Sequence, residues 1–76
     1  MEVATINATL AATDGVRRNV AGRFYTIKAV RRTPSKQRRS TGQPWQFWAE
    51  FDNNHMVPDW YPASTQTISE IVAEAE

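Results

Sequence analysis

Residues 45–52 read Trp45-Gln46-Phe47-Trp48-Ala49-Glu50-Phe51-Asp52. Trp45, Phe47, Ala49 and Phe51 fall on one side of an extended chain and Gln46, Trp48, Glu50 and Asp52 on the other, the period-two alternation of a strand with one buried face. Trp48 alone breaks the polar side. It either packs beneath another element or stands exposed as an anchor for a partner. A strand this apolar needs neighbours, and the chain on either side supplies them.

Upstream, Val20 to Arg32 predicts a second strand with Tyr25, Ile27 and Ala29 on one face and Phe24, Thr26, Lys28 and Val30 on the other. Apolar groups on both faces fit a central strand, or a sheet whose outer face is covered by a helix or a partner. Gly22 marks a bend or bulge within it. Between these strands, residues 31–44 hold two prolines, a glycine and five positive charges without hydrophobic periodicity. That composition is a loop, longer than ordinary hairpin connections and of the length that is usually functional or disordered.

Further upstream, the even positions Ala4, Ile6, Ala8, Leu10 and Ala12 are apolar while Thr5, Asn7 and Thr9 are polar, so a first strand is expected over Val3–Ala12. Thr13, Asp14 and Gly15 supply turn chemistry after it. Downstream, Asp52 to His55 form a turn, Met56 and Val57 begin a short fourth strand held to an edge by Pro58, and Asp59 to Pro62 read as irregular. From Ser64 the period changes: Ile68, Ile71, Val72 and Ala75 sit at i, i+3, i+4 and i+7, and Thr67 with Glu70 has capping-box spacing. A short helix over about 65–75 follows. Glu74, Glu76 and the terminal carboxylate oppose its dipole, so its last turn frays unless something basic docks there. The expected fold is α+β: one domain over residues 1–76, a three- to four-stranded antiparallel meander with one short C-terminal helix.

Composition narrows the function classes. The 76 residues contain no cysteine, which excludes disulfides, thiolate metal sites and a thiol nucleophile. No stretch approaches the ~20 apolar residues of a membrane helix, and the amino terminus lacks the basic and apolar regions of a secretion signal, so a cytoplasmic location is expected. His55 sits in a turn beside Asn53 and Asn54 and reads as a solvated residue. The spacing of Asp52, His55 and Asp59 matches no metal site, and Gly15, Gly22 and Gly42 are isolated and form no phosphate-binding motif. Neither catalysis nor a metal nor a cofactor is expected.

The formal net charge of +1 conceals a strong asymmetry. Residues 1–16 carry −2, residues 17–39 carry +9 with no acid, and residues 40–76 carry −6. The basic segment holds Arg17, Arg18, Arg23, Lys28, Arg31, Arg32, Lys36, Arg38 and Arg39. Long cationic side chains on such a loop reach phosphates or acidic protein, the alternative being a solvated surface. Among the eight aromatic residues, most are needed for the core of so short a chain, and Phe24, Trp48 and Tyr61 are the candidates for base stacking or for anchoring a protein. These twelve residues are the candidate binding set.

In size, cysteine-free composition and polarised charge, the whole chain resembles small phage-encoded host-takeover proteins, a group that includes RNA-polymerase-binding transcription regulators and anti-CRISPR proteins. The resemblance concerns role and assigns no individual residue. It implies a non-enzymatic regulator in the host cytoplasm that docks on a nucleic-acid-handling machine, such as host RNA polymerase or another nucleoprotein complex, and modulates or inhibits it. The alternatives are direct, sequence-tolerant binding of DNA or RNA through the basic loop and aromatic residues, and a small virion assembly subunit using the same loop as an arm.

Overall fold

Val20, Ala21, Gly22 and Arg23 turn the chain back on itself, with φ of 53° at Ala21 and 81° at Gly22. Two successive positive φ values are the signature of the two-residue turn whose twist suits a hairpin. Asn19 Oδ1 accepts the Gly22 N–H at 3.0 Å. The strand expected over 20–32 is therefore β2 (Arg23–Arg32), and residues 16–20 before the turn form a further strand, β1 (Val16–Val20), paired antiparallel with it from Val16↔Ile27 to Val20↔Arg23.

β3 (Trp45–Phe51) pairs with β2, and β4 (Asp59–Ala63) pairs with β3, giving a four-stranded antiparallel sheet in the order β1-β2-β3-β4. A bulge between Ile27 and Ala29 shifts the β2–β3 register. It moves Val30, rather than Ala29, into line with Tyr25 and Ile27, so the inward-facing set on β2 is Tyr25, Ile27 and Val30, all buried. The fourth strand starts later than expected and includes Trp60 to Pro62. Pro62 is tolerated because β4 is an edge. The computed structural model describes residues 2–37, 42–52 and 56–76; the turn expected around His55 lies largely outside them.

The first strand expected over Val3–Ala12 is instead a helix, α1. Ile6 and Leu10 are its buried residues and Val3 packs against the same core, whereas Ala4, Ala8, Ala11 and Ala12 are exposed. The alanines that completed an alternating pattern carry little burial information and are the strongest helix formers. At the C-terminus of α1 the Gly15 N–H bonds the Leu10 carbonyl at 2.8 Å and the Asp14 N–H bonds that of Ala11 at 3.5 Å, with Asp14 at φ 60°. This is the Schellman arrangement, so the predicted turn chemistry of residues 13–15 ends a helix rather than linking two strands.

The terminal helix, α2 (Thr65–Ala75), lies where expected. Its cap is Ser64, whose hydroxyl accepts the Thr67 N–H at 3.2 Å, one turn before the predicted capping box. Ile68, Ile71 and Ala75 join Ile6, Leu10, Val16, Tyr25, Ile27, Val30, Trp45, Ala49 and Ala63 in one buried core. Two helices thus cover one face of the sheet, one more than the sequence predicts. Among the described residues no helix is long and apolar enough to cross a membrane.

The connection between β2 and β3 is shorter than the expected 31–44 loop, because Arg31 and Arg32 belong to β2. Its base is clamped: the buried Thr33 donates its N–H to Pro44 O at 3.0 Å and its hydroxyl to Gln43 O at 2.6 Å.

Candidate functional site

Strand alternation puts two different surfaces on the sheet. The face opposite the helices carries Arg17, Phe24, Thr26, Arg31, Gln46, Trp48, Glu50, Asp52 and Trp60, by cross-strand register. Its centre is a Trp48–Trp60 pair on directly opposed positions of β3 and β4, with ring centroids 5.4 Å apart at 64°. The Arg31 guanidinium lies 4.2 Å above the Trp60 ring, close enough for a cation–π contact.

A hydrogen-bonded relay fixes that arginine. Arg31 Nε donates to Gln46 Oε1 at 2.8 Å, and Gln46 Nε2 donates to Gln37 Oε1 at 2.8 Å. Gln46 is 3% exposed, so this polar side chain is held rigidly beneath the surface and ties the loop to the sheet. Trp48 Nε1 donates to Glu50 Oε2 at 3.1 Å. Both tryptophans are half-buried and packed on each other. Along the same face Phe24 is 44% exposed with the Arg17 guanidinium 4.8 Å over its ring, and Arg17 pairs with Asp52.

The sequence-predicted binding set divides between the two faces. Arg17, Arg31, Phe24 and Trp48 share the open face. Arg18 faces the helices, where its guanidinium meets Glu74 at 2.9 Å and Glu70 at 4.0 Å. The fraying expected of the acidic helix end is thus opposed by a basic group from the chain itself. Arg32 lies 4.0 Å over the ring of buried Trp45, Lys28 Nζ donates to the Asp14 carbonyl at 3.1 Å, and Lys36 is exposed on the helical turn after Pro34. Arg38 and Arg39 lie outside the described residues. Tyr61 faces inward, 6.1 Å from Phe47 and 5.9 Å from Phe51, and does not join Trp48. Trp60, the second half of the indole pair, escaped the sequence reading because Asp59–Pro62 was expected to be irregular. The available signal was the Trp60-Tyr61 pair itself, whose rings fall on opposite faces once the segment is extended.

No family model, curated protein or solved structure matches this chain. The surface itself is the guide to function. It combines large rings, a hydrogen-bonded arginine and mixed charge.

Proposed function

We propose that this chain is a non-enzymatic regulatory binding protein that docks on a protein of a nucleic-acid-handling machine, such as host RNA polymerase, through the open sheet face. The carrying observation is the Trp48–Trp60–Arg31 cluster on the sheet face opposite α1 and α2. Tryptophan and arginine are the residues most enriched among those that dominate interface energy. Glu50, whose carboxylate accepts the Trp48 indole N–H, favours a protein partner, since a carboxylate beside the rings repels phosphate. This role is of the kind implied by the resemblance to phage-encoded host-takeover proteins, with a cytoplasmic site of action.

A second reading is direct, sequence-tolerant binding of single-stranded nucleic acid. It is favoured by the position of Arg31 over the Trp60 ring of a half-buried indole pair, which sets a cation beside rings able to stack bases. Affinity capture from host lysate with and without nuclease separates the two readings. A protein partner retained after nuclease treatment supports the first, and complete loss supports the second.

A further inference from the structure

The helix-covered face of the sheet is not covered along its whole length. α1 and α2 pack over the end containing Ile27, Val30, Trp45 and Ala63. At the other end, near the β1–β2 turn, a half-open cavity of about 290 Å³ crosses all four strands. Tyr25 and Ala49, both buried, form its floor, and Phe47, Phe51 and Tyr61 form its walls. The rings make a continuous cluster: Tyr25 lies 6.1 Å from Phe47 and 5.5 Å from Phe51.

One charged residue lines this cavity, Arg23. Among the described residues no carboxylate lies within ion-pair distance of it, whereas Arg17 and Arg18 both have acidic partners. Its guanidinium instead donates Nη1–H to Met56 Sδ at 3.6 Å, a weak acceptor for a full positive charge. An apolar, aromatic-walled cavity lined by an arginine that has no carboxylate partner among the described residues is complementary to a ligand with an apolar body and an anionic end.

We infer that this cavity is a binding site for a small anionic amphiphile, an aromatic or aliphatic body bearing a carboxylate or sulfonate that meets Arg23. The site lies on the opposite face from the tryptophan pair and stands independently of the partner proposed for that face. Its occupant is compact. A volume of about 290 Å³ suits a small molecule.

The test titrates the intact protein with anilinonaphthalene sulfonate and, separately, with phenylnaphthylamine, which keeps the rings and lacks the sulfonate. Saturable binding of the sulfonate, with amide shifts at Val20, Tyr25, Phe51 and Tyr61, is the expected result. Arg23→Gln then weakens the sulfonate about threefold to tenfold and leaves phenylnaphthylamine unchanged, while Arg23→Lys restores most of the loss. A melting curve equal to that of the parent chain verifies each variant. The inference is overturned by an absence of saturable binding, by shifts that fall outside the cavity, or by a sulfonate affinity indifferent to Arg23→Gln.

Discussion

The side-chain amide of Asn7 makes both backbone hydrogen bonds of Val30, accepting its N–H on Oδ1 at 2.8 Å and donating from Nδ2 to its carbonyl at 3.1 Å. β1 pairs with β2 only as far as Ile27, so Val30 has no strand neighbour on that side. A residue of α1 supplies what a longer β1 would have supplied, and it docks the helix at a fixed height on the sheet. Asn7→Ala leaves both groups unpaired in a partly buried position. It should lower stability by about 2–3 kcal/mol, read as a shift in the urea midpoint at constant slope. Asn7→Asp keeps the acceptor and loses the donor, so a smaller loss is expected.

The two glycines of the first half of the chain should respond differently to alanine. At Gly15 the φ is 90° and a Cβ would come within 2.5 Å of the Ile27 carbonyl oxygen, a backbone atom. At Gly22 the φ is 81° and a Cβ would meet nothing within 4 Å. Gly22→Ala therefore carries only the left-handed backbone penalty of about 1–2 kcal/mol. Gly15→Ala adds a steric clash and should be the worse of the two, by thermal melt under identical conditions.

Much of the sheet was legible in the sequence because large residues carry the pattern there. Trp45, Phe47 and Phe51 cannot alternate by accident, and Ile68, Ile71 and Ala75 announce their helix equally well. The N-terminal segment misled because Ile6 and Leu10 satisfy both a period of two and a spacing of four, and alanines filled the remaining even positions without demanding burial. On the open face, Trp48 and Arg31 were legible as chemistry but their gathering around Trp60 was not. It depends on the β2 bulge and on β4, and β4 is a strand chiefly because β3 offers it an edge to pair with.

The two tryptophans of β3 should separate cleanly. Trp45 is 1% exposed and its indole N–H has no hydrogen-bond partner among the described residues. Trp45→Ala should destabilise the domain by about 3–5 kcal/mol, enough to unfold a chain of this size. Trp45→Phe removes the unpaired donor as well as volume, and a markedly smaller loss is expected. Trp48→Ala removes a half-buried ring packed on Trp60 and should lower stability by only about 1–2 kcal/mol.

Arg18 should anchor the end of α2. Its ion pairs join a side chain that is 23% exposed to glutamates that are about half exposed, so their worth is modest. Arg18→Gln is expected to reduce stability by at most about 1 kcal/mol, and by less at high salt. Amide exchange should speed up in residues 72–76 of the variant while β2 and β3 keep their protection.

The most direct measurement is capture of partners from nuclease-treated host lysate by the parent chain, Trp48→Ala and Trp60→Ala, each verified as folded by its melt. The parent should retain a protein of a nucleic-acid-handling machine. Each alanine variant should weaken that complex by about 2 kcal/mol or more, as loss of a central aromatic anchor does. Folded variants that retain the partner with parental affinity, or a parent that retains no such protein once nucleic acid is removed, would contradict it.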